Sequence, residues 1–98
     1  MIHPTAIISP KAVLPKNIQI GPYCIIDSNV VLEEGNNLIS NVHITGKTKI
    51  GKNNIFYPFS SIGFIPQDLK FSGEESELLI GNNNTFREHV TVNPGTKG

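Results

Sequence analysis

Counted from Ile2, every sixth residue of this chain is large and apolar: Ile8, Leu14, Ile20, Ile26, Leu32, Leu38, Ile44, Ile50, Phe56 and Ile62. The register lapses at Asp68 and Glu74, then resumes in the same phase at Ile80, Phe86 and Val92. Fourteen of the 16 positions are thus apolar in a chain that is 38% hydrophobic, which chance does not produce. A fixed period has to be settled first, because it dictates the fold. Six fits neither the 3.6 of an amphipathic helix nor an alternation carried through every residue. It does fit a short strand followed by a corner.

If the first residue of each hexad, i, points inward, strand alternation sends i−2 inward as well. Those positions read Ala6, Ala12, Ile18, Cys24, Val30, Asn36, Val42, Thr48, Asn54, Ser60, Asn84, Val90 and Thr96, mostly small or short-branched. Within the run Asn82-Asn83-Asn84, only Asn84 holds an inward place. Corners then fall at i+2 and i+3. Pro4, Pro10, Pro22, Pro58 and Pro94 occupy i+2, and Asn17, Asn29, Gly35, Asn41, Asn53, Asn83 and Gly95 occupy i+3. Proline presets φ near about −65° at the first corner residue, while Asn and Gly tolerate the left-handed conformation at the next. Glycine also recurs at i+1, in Gly21, Gly51, Gly63 and Gly81, where a missing side chain eases the start of a strand. The fold expected is an all-β parallel β-helix with one flat side and one corner per hexad. Three sides make an 18-residue coil, and coils stack about 4.8 Å apart. An ordinary β-sandwich does not hold a strict six-residue phase.

One hexad step needs six residues, yet eighteen separate Ile62 from Ile80. The surplus of about twelve has to leave the stack, which predicts one protruding loop over residues 64–79. Function tends to sit on a long loop carried by a rigid scaffold. The loop holds Gln67, Asp68 and Lys70 outside the coils, free to reach a ligand or a neighbouring subunit. Spacing alone leaves a solvated connection with scattered charges as an equal account.

Eight Lys plus Arg balance eight Asp plus Glu, so there is no electrostatic footprint for nucleic acid or an anionic membrane. Cys24 is the only cysteine; it falls on an inward position, excludes an internal disulfide and serves as a small hydrophobe. With no basic leader and no 18-residue apolar stretch, a cytoplasmic protein without membrane insertion is expected. His3, His43 and His89 occupy i+1, i+5 and i+3, about two coils or roughly 9–10 Å apart at each step. Zinc needs its ligand atoms within about 2 Å of the ion, so no metal site is expected within one chain. A site shared across a trimer stays open on geometry, although the expected histidine spacings are absent. Residues 1–98 read as one β-helix domain that begins at once and lacks a terminal cap. They are therefore expected to be the front part of a longer protein.

The segments IHPTAI (2–7), NVHITGKTKIG (41–51), SIGFIPQDLKFSGE (61–74) and REHVTVNPGT (87–96) resemble the UDP-N-acetylglucosamine O-acyltransferases. The first motif and the hexads are shared by many hexapeptide-repeat acyltransferases. The QDLK loop followed one coil later by R-E-x-V-T-x-x-x-G-T is the specific part. The resemblance implies a left-handed β-helix, a homotrimer without cofactor, and the first step of lipid A biosynthesis. In that step a (hydroxy)acyl chain passes from acyl carrier protein to the 3-hydroxyl of UDP-N-acetylglucosamine. A histidine accepts the proton of the sugar hydroxyl, and a backbone N–H supports the tetrahedral oxyanion. The motif carrying that base lies beyond Gly98, so no catalytic residue is expected in this chain and the 98 residues alone are expected to be inactive.

By similarity, Gln67, Asp68 and Lys70 contact the sugar nucleotide, Asp68 as an acceptor for a sugar hydroxyl and Lys70 as a donor to phosphate or carbonyl oxygen. Relatives often carry His-Arg where this chain has Asn93-Pro94; Asn93 joins the substrate-binding set but brings no charge. Three alternatives compete. The lipid A N-acyltransferases place a separate domain before their repeats, and acetyl-CoA-dependent hexapeptide acetyltransferases usually lack the QDLK loop. A non-enzymatic scaffold or ice-binding surface would need an aligned threonine array, and Thr5, Thr45, Thr48, Thr85, Thr91 and Thr96 share no hexad position.

Overall fold

The computed structural model describes residues 1–64 and 77–92, which form twelve short strands and no helix. The strands are β1 (Ile7–Ile8), β2 (Gln19–Ile20), β3 (Ile25–Ile26), β4 (Val30–Leu32), β5 (Asn37–Leu38) and β6 (His43–Ile44). They continue with β7 (Lys47–Ile50), β8 (Ile55–Phe56), β9 (Ser61–Ile62), β10 (Glu77–Ile80), β11 (Thr85–Phe86) and β12 (Thr91–Val92). Successive strands never pair. β1 pairs in parallel with β3, and every later pairing joins a strand to the one three places on, giving sheets β1-β3-β6-β9-β12, β4-β7-β10 and β2-β5-β8-β11. The register joins Ile8, Ile26, Ile44 and Ile62, each 18 residues from the last. Isolated bridges Ile2↔Ile20 and Val13↔Val31 extend the other two sheets into the first coil. The result is a three-sided parallel β-helix.

The inward assignment holds position by position. From Ile18 to Ile62 every i and every i−2 residue is buried, the i column supplying Ile, Leu and Phe and the i−2 column the shorter side chains. Burying each large apolar residue contributes roughly 1.5–3 kcal/mol, so the core is a file of near-equal contributions along the axis. Polar residues in this file are satisfied. Thr48 Oγ1 donates to the Thr45 carbonyl at 2.7 Å, and Ser60 Oγ to the Tyr57 carbonyl at 2.5 Å. Burial pushes the Cys24 thiol up, away from the reactive thiolate.

Asparagines at i−2 form a ladder that runs across coils rather than along the Asn82–Asn84 run. Asn36 Nδ2 donates to the Glu33 and Gly51 carbonyls, both at 2.7 Å. Its Oδ1 accepts from the Asn54 amide N–H at 2.9 Å and from Asn54 Nδ2 at 3.0 Å. Asn54 repeats the pattern, donating to the Gly81 carbonyl at 2.9 Å and accepting the Asn84 N–H at 2.8 Å. These side chains close corner backbone groups that no strand reaches.

Beyond the first coil, two of the three corners place their i+3 residue at positive φ. One column is Tyr23, Asn41, Phe59 and His89 (φ 59, 52, 65 and 62°), and the other is Gly35, Asn53 and Asn83. Asn and Gly were expected there; Tyr, Phe and His were not. Their rings point to solvent, with Tyr23 64% and Phe59 56% exposed, so only local backbone strain opposes them. The i+1 glycines close strands instead of starting them. A Cβ on Gly21 would lie 1.8 Å from the Ile39 carbonyl oxygen, so close approach of the next coil is what excludes a side chain.

The ladder also locates the surplus. Ile50 pairs with Ile80 and Ile62 with Val92, separations of thirty residues against eighteen between Leu32 and Ile50. Because Glu77–Ile80 pairs residue for residue with Lys47–Ile50, the repeat has resumed by Glu77. The loop read as 64–79 is therefore too long at its C-terminal end. Glu77, Leu78 and Leu79 are strand, since Leu78 continues the i−2 column above Thr48 and packs against the core.

Candidate functional site

Phe64 and Glu77 flank the surplus residues, so the surface around these two points is where the geometry can depart from plain scaffold. At the departure, Asp27 and Thr45 occupy the same i+1 position one coil apart, with His43 beside them on the outer face of β6. His43 Nε2 lies 3.1 Å from Asp27 Oδ2, and its ring meets Phe64 edge to face, centroids 4.7 Å apart at 85°. The Thr45 side chain holds the Asp27 carboxyl below the usual carboxylate range; burial opposes it less strongly, and His43 adds a hydrogen bond and its charge on the lowering side. Gly63, just before Phe64, has φ +86°, and a Cβ there would stand 2.1 Å from the Thr45 carbonyl oxygen. Only glycine fits at this φ this close to the coil below.

At the return point, Glu77 faces two lysines, with Lys47 Nζ at 3.8 Å and Lys49 Nζ at 3.7 Å. Both pairs are solvent-exposed, so each contributes little on its own. On the neighbouring sheet Arg87 lies over the Tyr57 ring at 4.4 Å and pairs with Glu88 at 3.5 Å. A shallow groove of about 460 Å³ runs over the β4-β7-β10 sheet between Val31, Lys49 and Leu79, but no set of convergent acids lines it.

The residues singled out for substrate contact, Gln67, Asp68, Lys70 and Asn93, lie outside the described residues. What is described is their attachment. The Gly63 N–H donates to the Val92 carbonyl at 2.7 Å, which puts the residue preceding Asn93 directly over the strand that leads into the loop. The three histidines go separate ways: His3 hydrogen-bonds Thr5 at 2.9 Å, His43 meets Asp27, and His89 stacks on Phe59 at 5.5 Å. No cluster of three potential metal ligands occurs among the described residues. Treating His43 only as a candidate metal ligand missed its cluster with Asp27, Thr45 and Phe64. Eighteen-residue arithmetic would have found it, since Asp27 plus one coil is Thr45.

No protein-family model matches the chain. Among curated proteins it is 56% identical over 91 residues to the acyl-[acyl-carrier-protein]–UDP-N-acetylglucosamine O-acyltransferase of Thermodesulfovibrio yellowstonii, covering 93% of the chain and 35% of the relative. The enzyme of the same name from Rickettsia canadensis is 56% identical over 97 residues, 99% of the chain and 37% of the relative. A crystal structure of a UDP-N-acetylglucosamine acyltransferase superposes on the whole chain with a TM-score of 0.95 at 50% identity, using 38% of that protein. The chain thus spans little more than a third of the length of these relatives, and the coils it shares with them are those of a left-handed parallel β-helix. In sequence and in fold, the chain belongs with the N-terminal part of the UDP-N-acetylglucosamine O-acyltransferase family.

Proposed function

We propose that this chain is the scaffold and substrate-contact part of an enzyme that transfers a (hydroxy)acyl chain from acyl carrier protein to the 3-hydroxyl of UDP-N-acetylglucosamine, the first step of lipid A biosynthesis. Support comes from one observation above all: over nearly the whole of this chain, more than half of the residues are identical to those of proteins bearing that name. The prism supplies rigidity. The residues between Phe64 and Glu77 supply recognition, with Asp68 accepting a hydrogen bond from a sugar hydroxyl, Lys70 donating to phosphate or carbonyl oxygen, and Gln67 and Asn93 adding neutral contacts. A hydroxyl attacks a thioester only when its proton is accepted and the oxyanion is supported, and the base for this is contributed by a part of the enzyme outside these residues. The 98 residues alone accordingly carry no transferase activity. The enzyme works as a cytoplasmic homotrimer without cofactor, the loop of one subunit completing a site against its neighbour.

The test is steady-state kinetics of the full-length enzyme carrying Asp68→Ala or Lys70→Ala. Each loses about one charge-assisted hydrogen bond, so kcat/KM for the sugar nucleotide is expected to fall about ten- to a hundredfold with circular dichroism unchanged. Near-normal kinetics in both variants would sink the loop assignment, and turnover by the isolated 98 residues would sink the division of labour.

A further inference from the structure

We propose that His43 is a positioning residue that sets the departure of the substrate-contact segment through its contact with Phe64; this rests on the loop reading above. Phe64 is the last described residue before Gln67, Asp68 and Lys70 in the chain, so holding it fixes the point from which that segment starts. Two constraints hold it. Gly63 governs the main chain, because the Thr45 carbonyl oxygen would lie 2.1 Å from any Cβ there. The His43 ring governs the side chain, presenting itself edge to face at 4.7 Å.

His43 is itself held. Its Nε2 meets Asp27 Oδ2 at 3.1 Å, a contact that crosses from one coil to the next and leaves the ring little freedom to rotate away from Phe64. A line of contacts therefore runs from Asp27 through His43 to Phe64, over three successive coils. Stability does not require it. His43 faces outward with 35% of its side chain exposed, and the inward columns that form the core are complete without it. A phenylalanine would keep the edge-to-face packing but not the hydrogen bond, and an alanine would keep neither. Placement at this level matters because a misplacement of about 1 Å in a substrate-positioning element can cost about a hundredfold in rate.

The experiment compares His43→Ala, His43→Phe, Phe64→Ala, the double variant His43→Ala/Phe64→Ala and Asp68→Ala in the full-length enzyme, reading KM for the sugar nucleotide, kcat and the melting temperature. His43→Ala is expected to raise KM about three- to tenfold, the equivalent of one lost aromatic pair, with the melting temperature little changed. His43→Phe recovers most of that loss. The double variant is no worse than Phe64→Ala, because the two residues act through one contact. Normal KM in His43→Ala beside an impaired Asp68→Ala overturns the inference alone. A His43→Phe enzyme as poor as His43→Ala, with both melting early, assigns the residue a merely structural role and overturns it too. An unimpaired Asp68→Ala overturns the loop reading and takes the inference with it.

Discussion

Replacing Asn36 with leucine isolates the contribution of the asparagine ladder. The side chain is 1% exposed and serves four hydrogen bonds, two as donor and two as acceptor. Leucine has the same branching and number of side-chain heavy atoms, is bulkier, and carries no polar atom. The Gly51 carbonyl keeps a partner in Asn54 Nδ2 at 3.2 Å, and the Glu33 carbonyl lies near enough to solvent to find water. The Asn54 amide N–H does not, because Asn54 is 0% exposed and Asn36 Oδ1 is its partner. An orphaned buried donor costs about 1–3 kcal/mol, and the other lost bonds add about 1–2. Greater apolar burial by leucine returns about 1, so the net loss is about 1–4 kcal/mol. Equilibrium urea unfolding followed by far-UV circular dichroism measures it, with an unchanged m-value showing that the unfolded reference is the same. Asn37→Ala is the internal control: one residue along, on the outer face of β5 and exposed, it should move stability by no more than about 0.5 kcal/mol. If the two substitutions cost the same, or Asn36→Leu costs less than about 1 kcal/mol, the ladder does not satisfy the corner and the reasoning fails.

Three further outcomes can be checked in the same way. Gly63→Ala has to relieve both a positive φ and a 2.1 Å approach to the Thr45 carbonyl, so a loss of more than about 2 kcal/mol is expected by thermal melting, and a neutral substitution would show that the backbone is not confined there. Tyr23→Asn places a residue suited to φ 59° at an exposed corner and should raise stability by about 0.5–1 kcal/mol; a loss would mean that the tyrosine ring packs usefully. The folded-state pKa of Asp27 is lowered, first by the Thr45 hydrogen bond and then by His43, so its stabilisation is present above the unfolded value of about 3.9 and is lost as pH falls through the folded value. Asp27→Asn should therefore be less stable than the parent at neutral pH, by a small margin because the side chain is 43% exposed, and the two should converge in strong acid. A gap that widens toward acid would contradict the sign.

What the hexad made legible was whatever depends on alternation. Inward positions could be named because a side chain at i−2 has no other direction to point, and every one from Ile18 to Ile62 is buried. Asp68 and Glu74 marked the excursion because a charge cannot enter that file unpaired. The loop's far boundary was harder to read. Glu77, Leu78 and Leu79 follow a charged stretch and show no turn residue, and only the pairing with β7 assigns them to the ladder. Cross-coil partnerships were equally hidden. Asn36 and Asn54 are eighteen apart, but Asn54 and Asn84 are thirty apart, so the ladder appears only once the surplus is known. His43 looked like a solitary histidine because its partners are neighbours across coils rather than along the chain. Its partners lie sixteen residues back, about one coil, and at the edge of the excursion in the other direction.

The site of the excursion follows from the corners. Those that carry Tyr23, Asn41, Phe59 and His89, and those that carry Gly35, Asn53 and Asn83, repeat one left-handed residue in coil after coil. Their backbones bond upward in step, as with the Asn41 N–H to the Pro22 carbonyl at 2.9 Å and the Phe59 N–H to the Asn41 carbonyl at 3.0 Å. Twelve residues inserted into either column would break a bond to the coil below and another to the coil above. The third corner has no such column. Its i+3 residues Asn29, Lys47 and Glu77 are absent from the positive-φ set, and the backbone turns instead at Gly46 and Gly63. An insertion there interrupts no stacked turn, while the strands on either side, β9 and β10, keep their partners β6 and β7. A scaffold that stabilises itself coil by coil can thus carry a recognition segment at one corner at little cost to the other two. The requirement it imposes is local: the exit must be held from the side, and that is the place His43 and Asp27 occupy.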